Sequence, residues 1–186
     1  TPISLRETKP EDDFHIDPMK LKKGGSLIQN FALYVDLKLP ADFDGTEADS
    51  ALIRKTDQEN VKYMNPWHQT MEMAKVYHEE MAANADLIRE ARTYEDIMRN
   101  KEAGLMSAVL TVEEGGAIEG QIDRLQLLYD EGVRMMTLTW NFENELAYPN
   151  EADPRSDEDF SYYFRFQPRM DNGLKTKGFE AVEEME

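Results

Sequence analysis

Leu105-Met106-Ser107-Ala108-Val109-Leu110-Thr111-Val112, closed by Glu113-Glu114-Gly115-Gly116, is the stretch that decides the fold. An uncharged, largely apolar run that stops abruptly on two acids and two glycines suits a strand covered on both faces, as in a parallel sheet. Downstream, Ile118, Ile122, Leu125 and Leu128 recur at three- and four-residue steps and predict a helix, with Gly132 as its C-cap. Val133-Arg134-Met135-Met136-Thr137-Leu138-Thr139-Trp140 then predicts another strand. Upstream, Leu27 to Asp36 is a second nearly continuous apolar run, again expected to be buried on both faces. Between these two runs, Asn65-Pro66 opens a long helix whose apolar stripe runs through Trp67, Met71, Ala74, Met81, Ala85 and Ile88. Asp17-Pro18, stopped by Gly24-Gly25, predicts a short helix near the start, and Phe179 to Glu186 a last one.

Strand, helix, strand, helix, strand, long connection, helix is the order of βα units around a parallel sheet. Such units give a doubly wound sheet or a (β/α)8 barrel. A full barrel takes about 250 residues, and only three strands are clear here. The fold class expected is therefore α/β, a partial TIM-type barrel of about half the full ring, in a single domain over 1–186. Residues 40 to 60 read as acidic and irregular. Residues 141–172 form a connection far longer than the usual two to six residues, rich in rings at Phe142, Tyr148, Phe160, Tyr162, Tyr163, Phe164 and Phe166. A plain linker would not carry so many. It reads as an ordered insertion, either a lid or a subunit contact.

The 186 residues carry 21 Lys and Arg against 38 Asp and Glu, a net charge of −17. That balance argues against nucleic acid, whose phosphates are neutralised by basic side chains, and against anionic membrane surfaces. No run is long enough to span a membrane. With no Cys and three His, disulfides, thiol nucleophiles and Cys-rich zinc sites are excluded, and any chemistry must lean on carboxylates. Nothing signals export, so a cytoplasmic location is expected.

Glu113 sits where a buried strand ends, the rim that holds active-site groups in α/β barrels. A carboxylate there could ligate a metal or act as a general base. On the residues alone the blander alternative is the stronger: Glu113-Glu114 could cap the next helix or face water. His15-Ile16-Asp17 has the His-x-Asp spacing of two ligands on an extended strand, but Asp17 is better read as the N-cap before Pro18. His68 and His78 lie ten positions apart and do not share a level of the helix, and His78 reads as a packed or surface residue. No His-Glu-x-x-His, Gly-x-Ser-x-Gly, phosphate loop or dinucleotide fingerprint is present.

Thr111-Val112-Glu113-Glu114-Gly115-Gly116-Ala117-Ile118, followed by Leu128-Tyr129-Asp130-Glu131-Gly132-Val133-Arg134 and Thr137-Leu138-Thr139-Trp140-Asn141, resembles the membrane dipeptidase family of zinc peptidases, in its bacterial branch. Phe14 to Asp17, Leu21 to Gly25 and Gln29 to Leu33 agree with the family's early region. Gly173-Leu174, Gly178, Val182, Glu184 and Met185 agree with the start of its fourth barrel helix. The resemblance implies a (β/α)8 hydrolase that cleaves dipeptides with a metal-activated water held by two zinc ions. It places Glu113 at the bridging carboxylate and Trp140 and Asn141 in the substrate pocket. Trp140 stands where many relatives carry a substrate-binding His, and Lys175 and Lys177 replace the usual Thr and Phe.

Other implied ligands, a His-x-Asp pair before Thr1 and two His after the fourth helix, fall outside the sequence, so both ends read as interruptions of a longer protein. The implied partner is a dipeptide, and a homodimer is compatible. The alternative function is a non-catalytic binding or assembly module on a degenerate hydrolase barrel. Half a barrel would leave strand edges and apolar faces uncovered, so the chain alone is expected to oligomerise or aggregate.

Overall fold

The structure is a computed structural model, and it describes residues 17–35, 66–140, 144–148, 151–152, 166–167 and 173–186. In chain order the elements are α1 (Pro18–Lys23), β1 (Ile28–Leu33), α2 (Pro66–Ala83), β2 (Ile88–Glu90), α3 (Tyr94–Glu102), β3 (Met106–Val112), a 3-10 turn (Gly115–Ile118), α4 (Arg124–Glu131), β4 (Val133–Met136), β5 (Glu151–Ala152), β6 (Phe166–Gln167) and α5 (Thr176–Met185).

Every pairing in the main sheet runs through β3. Its one edge takes β1, in parallel register from Ile28 opposite Ser107 to Leu33 opposite Val112. Its other edge is shared: β2 lies along Met106–Ala108 and β4 along Leu110–Val112, both parallel. The register shifts between Leu110 and Thr111, where β4 takes over. All four strands therefore point the same way, and the C-terminal ends of β1, β3 and β4 form one rim. The pair β5–β6 is antiparallel and separate.

The apolar residues of β3 meet helices on both faces. Ile88, Ala108, Leu110, Val112, Ile118 and Leu128 are buried together with Ala74, Tyr77 and Met81 of α2 and Ala181 of α5. A fully buried Leu or Ile contributes about 1.5–3 kcal/mol, so this cluster dominates the stability. The Tyr77 hydroxyl donates to the Ala108 carbonyl at 3.3 Å. Burial, reinforced by Glu90, pushes that hydroxyl well above the usual tyrosine range, so it stays a donor at any working pH. Asn100 of α3 donates to the Ser107 hydroxyl at 3.1 Å and closes a polar contact inside the core.

Where the end of β2 meets the start of β4, charge replaces oil. His78 of α2 lies 3.0 Å from Glu131 and 3.9 Å from Glu90. Arg92 reaches Glu90 at 2.8 Å and the Asp130 and Glu131 carbonyls at the end of α4. The Glu90 contact raises the Arg92 guanidinium further above its ordinary value. His78 is thus half-buried and packed, as its position in the stripe predicts.

Several expectations need correction. The β1 run is not buried on both faces: residues 28–32 alternate between exposed and half-buried, and of the described run 27–35 Leu33 and Val35 are buried. The reason is position, since β1 contacts β3 on one edge and α2 covers little of it. The long helix stops at Ala83, so Ala85 and Ile88 leave the stripe. Ile88 begins β2 instead, after a turn in which the Asn84 carbonyl accepts the Leu87 and Ile88 N–H groups. The helix expected from Ile118 starts at Arg124. Glu119 and Gly120 adopt positive φ (52° and 66°), which breaks any helix begun at Ile118. The strand expected to reach Trp140 ends at Met136. The irregular 40–60 segment, the Asn65 cap and most of the 141–172 insertion lie outside the described residues.

Element α3 was not anticipated, although its start is well specified. The Thr93 hydroxyl accepts from the Asp96 N–H at 3.2 Å, and the Asp96 carboxylate accepts from the Thr93 N–H at 3.1 Å, a reciprocal capping box. Replacing Thr93 with Ala is expected to cost about 1 kcal/mol, read as a lowered urea midpoint. The bond from the Arg92 N–H, more than any other contact, holds the Asp96 carboxyl below the usual aspartate range. Its contribution is complete above the ordinary aspartate value and is lost as pH falls through the lowered one. Amide exchange at the start of α3 should therefore quicken below about pH 4, and not in an Asp96→Asn variant.

Candidate functional site

The rim is tied together by strand-end hydrogen bonds. The Glu113 N–H donates to the Leu33 carbonyl at 3.0 Å, and the Thr137 N–H to the Val112 carbonyl at 2.9 Å. The residues just past these bonds, Tyr34, Glu113, Glu114 and Leu138 to Trp140, share one neighbourhood. Successive residues leaving a strand point to opposite sides, so Glu113 and Glu114 cannot face the same way.

They do not. Glu114 is turned inward and is 1% exposed. Its Oε1 accepts from the Gly116 N–H at 2.9 Å and from the Asn144 side-chain amide at 2.5 Å. Its Oε2 accepts from the Trp140 N–H at 2.8 Å. A buried carboxylate without donors would be costly; this one has three. Glu113 is half-buried, and among the described residues no hydrogen bond or ion pair engages its carboxylate. Among the described residues just past the strand ends, it is the acid whose lone pairs are free.

Asn144 extends the clamp. Its amide nitrogen donates to the Leu138 carbonyl at 2.8 Å, and its oxygen accepts from the Leu146 and Ala147 N–H groups. Leu146 is fully buried as a result and fills the space between the rim loops and α5. Two glycines let it in. A Cβ on Gly115 would lie 2.5 Å from the Leu138 carbonyl oxygen and 2.9 Å from Leu146 Cδ1, and one on Gly178 would strike the Leu146 carbonyl. Gly115→Ala is expected to destabilise by about 1–3 kcal/mol, the usual cost of overpacking; a urea midpoint equal to that of the unaltered protein would refute the close approach. The two unusual lysines have local roles: Lys175 donates to the Asn144 carbonyl at 2.7 Å, and Lys177 to the Gly120 carbonyl at 2.7 Å.

Trp140 stands edge-on to Tyr34, with ring centroids 5.1 Å apart and planes at 69°. The pair links the residue after β1 to the segment that follows β4. Of the residues singled out by sequence, Glu113 and Trp140 are thus brought to one rim, while Asn141 and His15 lie outside the described residues. Asp17 caps α1, accepting from the Lys20 N–H at 2.8 Å, which lowers its carboxyl below the usual range. His68 lies on α2, 4.0 Å from Glu72. Sequence reasoning read Glu114 only as a cap or a solvated acid, and the capping bond to the Gly116 N–H is present; its bonds to Trp140 and Asn144, and the places of Asn144 and Tyr34, were passed over. The available signal was the acid pair itself, because a strand exit forces one of two neighbours inward.

Could this rim hold a metal? A carboxylate suits hard and borderline cations, and Glu113 is unencumbered, so it fits as one ligand. Among the described residues no three His, Asp or Glu side chains gather into a metal-binding group, so any metal held at Glu113 would need further ligands from outside them. A separate cavity of about 430 Å³ lies between α4, β4 and α5, lined by Leu125, Leu128, Tyr129, Val133, Met135 and Met185 among others. None of the rim residues lines it.

A family model described as membrane dipeptidase (peptidase family M19) matches residues 1–186. No curated protein matches the chain. Among solved structures, the probable dipeptidase PvdM from Pseudomonas aeruginosa is 19% identical with a TM-score of 0.62, over 95% of this chain and 39% of that one. A metallo peptidase from Rhodobacter sphaeroides, liganded with a phosphinate mimic of the dipeptide L-Ala-D-Ala, is 20% identical with a TM-score of 0.62, over 95% of this chain and 48% of that one. An amidohydrolase from Pseudomonas aeruginosa is 18% identical with a TM-score of 0.60, over 90% of this chain and 38% of that one. The chain spans less than half the length of these structures. It shares their fold, and its parallel strands with flanking helices are part of a TIM-like barrel. Residues 1–186 belong to the membrane dipeptidase family, peptidase family M19.

Proposed function

We propose that this chain supplies part of the active site of a metal-dependent dipeptidase, with Glu113 as a ligand shared between two zinc ions. The observation that supports this most is the contrast between the two neighbouring acids. Glu114 is buried and saturated by three donors, whereas Glu113, at the end of β3, keeps its carboxylate available. Two oxygens on one carboxylate can each hold a cation and offset the repulsion between the pair. The chemistry such ions supply is a bound water acidic enough to attack a peptide carbonyl near neutral pH. The chain's own part is to fix Glu113 through the rim bonds of Leu33 and Val112, and to wall the mouth with Trp140 and Tyr34. Asn141 follows the wall and belongs to the same proposed pocket.

The test uses the intact protein, stripped with a chelator and assayed on L,L- and L,D-dipeptides before and after zinc is restored. Hydrolysis that disappears on stripping and returns with zinc is expected. Failure to release amino acids from any dipeptide in either state would overturn the reading and favour a binding or assembly module on the same scaffold.

A further inference from the structure

We propose that Glu114 is a positioning residue: its buried carboxylate holds Trp140 against Tyr34 beside Glu113, and so sets which substrate side chains the mouth accepts. The second half of this statement rests on the dipeptidase reading. The first half stands on geometry alone.

A glutamate that merely capped the 3-10 turn would need one bond, the local one to Gly116. Glu114 makes two more to segments 26 and 30 positions away, the Trp140 N–H and the Asn144 amide. The Trp140 bond acts on the backbone of the residue whose ring forms the wall. The Asn144 bond fixes the amide that also holds the Leu138 carbonyl, two positions before Trp140. The loop after β4 is therefore gripped on both sides of Trp140, by one carboxylate and its amide partner. The indole is left to meet Tyr34 at 5.1 Å. Tyr34 in turn follows Leu33, whose carbonyl takes the Glu113 N–H. The contacts run from Glu113 through Leu33, Tyr34 and Trp140 to Glu114, and the peptide bond between the two acids closes the ring.

Charge matters to this arrangement. The donors are two backbone N–H groups and an amide, approaching both carboxylate oxygens. Glutamine has the same shape but one acceptor oxygen, so its NH₂ would face either the Trp140 N–H or the Gly116 and Asn144 donors. One side of the clamp would open. The rest of the fold would keep its core.

The experiment compares Glu114→Gln, Asn144→Ala, Trp140→Phe and Trp140→Ala in the intact protein. Near-ultraviolet circular dichroism, with the Trp140 contribution assigned by difference from Trp140→Phe, reports whether the indole is held. The ratio of kcat/KM for a dipeptide bearing a Phe side chain to one bearing Ala reports the wall. Glu114→Gln is expected to lose most of the Trp140 signal and shift the ratio about tenfold, the scale of a lost apolar pocket contact. The shift should match that of Trp140→Ala in direction and vanish when the two are combined. A purely structural role would lower both substrates' turnover together and leave their ratio alone.

If folded Glu114→Gln keeps either the wild-type Trp140 signal or the wild-type ratio, the proposal is overturned. Should Glu114→Gln fail to fold, Asn144→Ala takes its place under the same criteria. If the unaltered protein cleaves no dipeptide, the functional reading falls, and the dichroism alone decides the positioning role.

Discussion

Glu113→Gln is expected to remove dipeptide hydrolysis by about 10²–10³-fold in kcat while leaving the thermal midpoint unchanged. The size follows from the role: charge stabilisation by a metal centre is worth several kcal/mol, and each 1.36 kcal/mol is about a factor of ten in rate. The amide is nearly the same shape as the acid but carries no charge, so it bridges cations poorly. Fold stability is spared because the Glu113 carboxylate has no hydrogen-bond partner among the described residues, and its backbone N–H bond to Leu33 survives the change. Zinc content measured by elemental analysis should fall with the activity. An unchanged turnover rate would rule out the bridging role. The contrast with Glu114→Gln is part of the prediction, because that variant should redirect the enzyme among substrates rather than silence it.

Leu110→Ala is expected to cost about 2–5 kcal/mol of stability, the range for a large-to-small change in a packed core. Leu110 is fully buried, sits midway along β3, and faces Phe31 on one edge and Val133 on the other. Helices cover both faces of the strand, so little can relax into the cavity. Because whole domains are stable by only about 5–15 kcal/mol, this one change removes a large share. Leu127→Ala is the control: that side chain is 49% exposed, and its loss should lie within about 0.5 kcal/mol. Urea midpoints with a common slope measure both. Equal midpoints for the two variants would show that β3 is not the centre of the core.

The strand that organises the molecule was legible because burial on both faces leaves an unbroken apolar run, and β3 is such a strand. The same logic misjudged β1, whose run is equally apolar but which, among the described residues, pairs on one edge only, and composition does not report what covers a face. Helical spacing failed at Ile118 and Ile122, because a 3-10 turn followed by two positive-φ residues satisfies the same steps without being one helix. Element β2 was missed because three residues carry no period. Element α3 was missed although Thr93-x-x-Asp96 and Gly104 mark its ends, since its face toward the core is a single buried asparagine, Asn100. At the rim, the position of Glu113 was legible from its place after β3. Glu114 was not, because a glutamate in sequence defaults to a solvated or capping residue, and the donors it meets come from chain segments far downstream. Tyr34 and Asn144 are invisible for the same reason: their roles exist only once the strand ends are brought together.

The most direct test of the central claim is anomalous diffraction at the zinc edge from crystals of the intact protein grown with zinc. The account predicts zinc peaks at the rim, with oxygens of Glu113 at about 2.0–2.2 Å. Hydrolytically active crystals whose zinc peaks leave the Glu113 carboxylate untouched would contradict it.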